Sequence, residues 1–144
     1  MLKKRLTVLF VLFLIAIMVL PIATAYAGVQ TNYYSFYMSN RYVNGWSNGQ
    51  TYTLVAGTAK LSGDASLIWR PGAPDEHEDS IGYTLYKHGF LWSTKYGYIE
   101  GPIEGSFSGT FGTVPAGSNY YLVIELTFAD GWDHSGSGTI KVYY

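Results

Sequence analysis

The sequence predicts an all-β fold: a single antiparallel β-sandwich, jelly-roll or immunoglobulin-like, of roughly seven to nine short strands preceded by a helical signal peptide. Three observations carry this. Apolar residues recur with period two along the chain after residue 27, and nowhere in it do they keep helical spacing over three turns. Gly, Asn and Pro punctuate the alternation at intervals of about ten residues. Tyr, Thr and Val, which suit a pleated half-buried surface, are abundant, with 14 Tyr in 144 residues.

Residues 1-27 read as a secretory signal peptide. Lys3, Lys4 and Arg5 precede an apolar run from Leu6 to Leu20 broken only by Thr7, and Pro21 ends any helix there. Small residues follow, so cleavage is expected after Ala27, with Ala25 as the second choice. The run is short of the ~20 residues that span a bilayer core. With no cysteine to take a lipid and no apolar tail at the C-terminus, no stable membrane anchor is expected after cleavage. The remainder, 28-144, reads as one secreted, extracellular domain, large enough to bury a core without disulfides.

Its strands follow in order. Tyr33–Met38 alternates, and so does Thr51–Leu61, where the apolar phase shifts at Gly57 as a β-bulge would shift it. Ala65, Leu67 and Trp69 share one face, which places Trp69 in the core. Ile81, Tyr83 and Leu85 form another apolar face, Trp92–Ile99 a weaker strand, and Phe107 and Phe111 alternate with hydroxyl residues from Ser106 to Thr113. Tyr120, Leu122, Ile124, Leu126 and Phe128 make the clearest face, and Ile140, Val142 and Tyr144 the last. Ala129 to Ser137 contains Asp-Gly and reads as a turn pairing these final strands in a hairpin. Ser135-Gly136-Ser137-Gly138 likewise reads as turn.

The ending resembles the closing strands of jelly-roll accessory domains on secreted bacterial proteins. Val114-Pro115-Ala116-Gly117 leads into Tyr120–Ile124, and Gly138–Val142 completes the likeness. It spans about thirty residues of types any such strand pair needs, and it implies architecture without assigning a functional residue.

Charge excludes one class of partner. The net −1 of the whole chain combines three basic residues before Gly28 with six basic and ten acidic residues after it, so the domain carries −4. A negative domain is not expected to bind nucleic acid through a basic surface.

Two polar clusters and the tryptophans remain as candidate sites. Asp75, Glu76, His77, Glu78 and Asp79 form an acidic loop that a hard cation such as Ca²⁺ would relieve of its self-repulsion. A solvated loop that keeps sheet edges apart is the plainer reading. Asp130, Gly131, Trp132, Asp133 and His134 would present an indole beside two carboxylates and an imidazole, or else form an Asp-Gly turn whose Trp folds over the sheet. Brought near the acidic loop, this cluster could share a metal with it through His77 and His134. Trp46, in a glycine- and asparagine-rich turn, and Trp132 are candidate platforms for stacking sugar rings. His88 reads as an exposed polar residue.

Catalytic signatures are weak. Gly105–Gly109 places Phe107, not serine, at the centre of a would-be nucleophile elbow. Glu100 and Glu104 as a glycosidase pair would need a spatial separation that loop spacing does not give. The reading is therefore a secreted non-catalytic module that binds a carbohydrate or cell-surface component, or serves a structural, matrix role. A calcium-stabilised structural domain is the alternative. A small secreted hydrolase, or a pore-forming protein built on alternating strands such as Ser106–Thr113, stands behind it.

Overall fold

A computed structural model describes residues 28–39, 41–74 and 80–144. The expected signal peptide lies outside them. The described residues contain nine strands in two antiparallel sheets and no helix, stacked as a sandwich. The strands are β1 (Val29–Met38), β2 (Tyr42–Asn44), β3 (Tyr52–Leu54), β4 (Gly57–Ile68), β5 (Ser80–Lys87), β6 (Thr94–Pro102), β7 (Gly105–Val114), β8 (Gly117–Glu125) and β9 (Asp133–Tyr143). One sheet, here A, has the order β1-β9-β4-β7. The other, B, has β2-β8-β5-β6, with β3 also on β8.

Alternation decides which side chains enter the core. From sheet A come Phe36 and Met38, Ala59 and Leu61, Phe111, and Ile140 with Val142. From sheet B come Ile81, Tyr83 and Leu85, and Tyr120, Leu122 and Ile124. Tyr83 joins the layers, meeting Phe36 edge-on at 6.0 Å and stacking on Phe107 at 4.4 Å. Gly63 and Gly138 sit opposite each other in β4 and β9. A Cβ on Gly63 would collide with the Tyr34 hydroxyl. On Gly138 a Cβ would instead run into the Ser62 backbone, so the two strands pass each other too closely for side chains here.

Five expectations need correction. β8 and β9 do not form a hairpin: β8 pairs β2, β3 and β5, whereas β9 pairs β1 and β4. The connection after Glu125 crosses from one layer to the other, letting both strands turn their apolar faces inward. Ser135–Gly138 is strand, not turn, because β9 begins at Asp133. The phase shift at Gly57 marks the passage from β3 in sheet B to β4 in sheet A. Trp69 is 64% exposed, since β4 ends one residue before it and no strand lies beside it. Phe128 and Tyr144 lie past strand ends in the same way and are exposed.

The register separates charge along the sandwich. The β4–β5, β6–β7 and β8–β9 connections share one end. The β3–β4, β5–β6 and β7–β8 connections share the other. All six described acidic side chains (Asp64, Glu100, Glu104, Glu125, Asp130, Asp133) fall in the first half, with Arg41 and Arg70. Lys60, Lys87, Lys95 and Lys141 fall in the second.

Candidate functional site

Asp130, Asp133 and His134 are buried at the acidic end. His134, the second residue of β9, lies opposite Met38 and Leu67 and is fully enclosed. Its Nε2 lies 3.2 and 3.4 Å from the two Asp130 oxygens, and no hydrogen-bonding partner reaches its Nδ1. Asp130 also accepts from the Trp132 backbone N–H at 2.9 Å, which tightens the turn. Asp133 faces the other way. It accepts from the Tyr37 hydroxyl at 2.5 Å and from Arg70 at 3.1 Å. That hydrogen bond is the main cause raising the Tyr37 phenol above its ordinary pKa, since ionisation would remove the donated proton. The two carboxylates and the imidazole are thus engaged with protein groups. Among the described residues no group of three or more His, Cys, Asp or Glu could hold a metal ion.

Trp132 is half-buried, and its indole N–H donates to the Pro74 carbonyl at 2.8 Å. The chain just before the acidic run is therefore fastened to the 130–134 loop. Asp75, Glu76, His77, Glu78 and Asp79 themselves lie outside the described residues.

Trp46 sits away from Trp132, on the outer side of sheet B. Its indole stacks on the His88 imidazole, with centroids 3.7 Å apart and planes 13° from parallel, and leans on Tyr121 at 6.1 Å. One indole face is thereby covered by protein, and the side chain is 39% exposed. His88, read from sequence as a plain polar residue, is the stacking partner.

Sequence spacing missed the outer face of sheet A. Pairing aligns its outward residues in cross-strand rows. Tyr33, Thr139, Ser62 and Ser108 form one row, and Ser35, Ser137, Asp64 and Ser106 the next. Thr31 and Thr110 flank Lys141 and Lys60 in a third. Rows of this kind repeat about every 6.8 Å along the strands, with about 4.8 Å between strands. Ser62 and Thr139 hydroxyls hydrogen-bond across strands at 3.1 Å, and Ser106 donates to Asp64 at 2.5 Å. Tyr33 is 78% exposed and borders a shallow depression of about 460 Å³ with Ser35, Gln50, Ser137 and Thr139. The signal was present as alternating Ser and Thr in β4, β7 and β9. It becomes a surface only when the register is known.

The carboxylate pair posed in sequence as Glu100 and Glu104 takes another form. Gly82 in β5 pairs with Glu100 in β6 on one side and Glu125 in β8 on the other, so both carboxylates share one sheet face. The Tyr98 ring lies over Gly82, where a Cβ would meet it at 2.7 Å. Burial, then the charges of Glu100 and Glu125, raise the Tyr98 phenol pKa. With Arg41 these groups line a polar cleft of about 260 Å³.

No protein-family model matches the chain, and no curated protein matches it.

Proposed function

We propose that the chain is an exported, non-catalytic binding module, released by cleavage after Ala27, that lays the outer face of sheet A along an extracellular polyhydroxylated polymer. The observation that carries this reading is the ordered array of Ser, Thr and Tyr hydroxyls around the exposed Tyr33 ring. Hydroxyls both donate and accept, so rows of them match a sugar chain whose own hydroxyls do the same. A Tyr ring offers an apolar face for stacking and loses little conformational freedom when it binds. The array replaces Trp46 and Trp132 as the leading platform, because both indoles are already in contact with protein groups. Affinity electrophoresis of residues 28–144 in gels containing glucan, xylan or bacterial cell-wall polymer tests it. Retardation by at least one polymer, lost in Tyr33→Ala, is expected, and mobility unchanged in all of them refutes it.

A second reading, a calcium-stabilised structural domain, draws on one contact. The Trp132–Pro74 hydrogen bond ties the entry of the Asp75–Asp79 run to the 130–134 loop. Ca²⁺ bound by that run would cross-link the acidic end.

A further inference from the structure

The β5–β6 connection carries Phe90, Leu91 and Trp92 in succession. Phe90 is 100% exposed, and Leu91 and Trp92 are each 73% exposed. Isolated exposed apolar residues are ordinary, but three consecutive large ones at a loop tip are not.

The base of this loop is fixed. The His88 backbone N–H donates to the Asn119 carbonyl at 2.9 Å, and its imidazole stacks on Trp46. At the other side of the loop the Tyr121 hydroxyl donates to Ser93 Oγ at 2.9 Å. Tyr121 in turn stacks on Tyr86, with centroids 5.6 Å apart. An aromatic and hydrogen-bonded base thus holds an apolar tip out in water, which lowers the ordering cost when the tip is buried by a partner.

Charge identifies the partner. Lys87 ends β5 and Lys95 lies at the start of β6, directly flanking the loop. Their ammonium groups lie over the Tyr120 and Tyr98 rings and have no carboxylate partner among the described residues. Lys60 and Lys141 occupy the same half of the sandwich, where no described Asp or Glu side chain lies. The domain is acidic overall, yet this end is basic.

We propose that this end docks on an anionic lipid bilayer. Phe90 and Leu91 enter the boundary between headgroups and acyl chains, Trp92 sits at headgroup level, and the lysines meet lipid phosphates. A convex apolar tip needs no matching pocket in a fluid interface, Trp favours that depth, and lysines gain from anionic headgroups. Contact is peripheral and reversible, and its apolar tip with the flanking Lys87 and Lys95 belongs to sheet B, away from Tyr33 on the polymer-binding face.

Co-sedimentation of residues 28–144 with phosphatidylcholine vesicles, with and without phosphatidylglycerol, tests the proposal. The anionic vesicles should retain the protein, less so as salt rises. Phe90→Ser with Leu91→Ser should lower partitioning by about tenfold or more without moving the melting midpoint. Lys87→Gln with Lys95→Gln should remove the preference for phosphatidylglycerol. Lipids brominated on their acyl chains should quench tryptophan fluorescence, and Trp92→Phe should abolish most of that quenching. Equal sedimentation of wild type and the Phe90/Leu91 variant overturns the proposal, as does no retention on either vesicle. Self-association without lipid, lost in that variant, would overturn it in favour of a contact between copies of the chain. Tyr33→Ala should leave vesicle binding intact, so failure of the polymer reading and failure of this one are separable.

Discussion

The Tyr37 hydroxyl on β1 donates to Asp133 on β9 at 2.5 Å, across the acidic end of sheet A. Arg70, just past β4, holds the other carboxylate oxygen at 3.1 Å. One buried carboxylate therefore ties together three neighbouring segments of the sheet. Asp133→Ala removes both contacts and should cost about 1–3 kcal/mol in chemical denaturation. Arg70→Ala should cost less, because Arg70 is half exposed and the Tyr37 bond remains. Equal losses in the two variants would contradict this ranking.

Three core tyrosines should tolerate loss of their hydroxyls. Tyr34, Tyr52 and Tyr83 each bury an OH that has no hydrogen-bond partner. Phe keeps the ring and removes an unsatisfied polar group, so Tyr83→Phe should leave stability unchanged or raise it by about 1 kcal/mol. Tyr120 is the control. Its OH donates to the Pro115 carbonyl at 2.6 Å, and Tyr120→Phe should lose about 1 kcal/mol. Thermal midpoints of the two variants should move in opposite directions or, at least, differ in this order.

The same burial sets an alkaline limit. Desolvation pushes Tyr52 and Tyr120 from the ordinary 10.0 up to about 12, and Tyr34 and Tyr83 higher still. The folded phenols hold their protons after the unfolded ones have lost theirs. Stability is thus fully present below pH 10 and falls as pH rises through 12, by up to about 1.4 kcal/mol per pH unit for each such tyrosine. The last part of the tyrosinate absorbance, from these buried phenols, should rise together with the change in circular dichroism. Tyrosinate absorbance that reaches its full value while the fold persists would argue against burial as the cause.

Calcium is tested by melting the protein in EDTA and in excess Ca²⁺. If the Asp75–Asp79 run binds the ion, 100-fold excess over the dissociation constant should add about 2.7 kcal/mol. Trp132→Phe, which removes the indole donor to Pro74, should reduce that increment. An unchanged midpoint eliminates the calcium reading.

Local alternation was a sound guide to the buried faces of β5, β8 and β9. Ile81, Tyr83 and Leu85, then Tyr120, Leu122, Ile124 and Leu126, and Ile140 with Val142 all lie inside. Alternation says which face is buried, but it carries no information about which strand lies alongside. That is why consecutive β8 and β9 looked like a hairpin, although each belongs to a different sheet. The hydroxyl array failed to emerge for the same reason, since Tyr33, Thr139, Ser62 and Ser108 come from four separate segments. The 130–134 cluster was conspicuous because it is polar. Its polarity proved to satisfy buried neighbours, as His134 does with Asp130.

The central claim is that the outer face of sheet A binds an extracellular polymer. Backbone amide shifts of residues 28–144, followed by NMR while soluble glucan, xylan and cell-wall fragments are added, test it most directly. Saturable shifts confined to outward positions of β1, β9 and β4 around Tyr33, absent in Tyr33→Ala, are the predicted result. Shifts centred instead on Trp46 and His88, or no shift with any of these polymers, would contradict it.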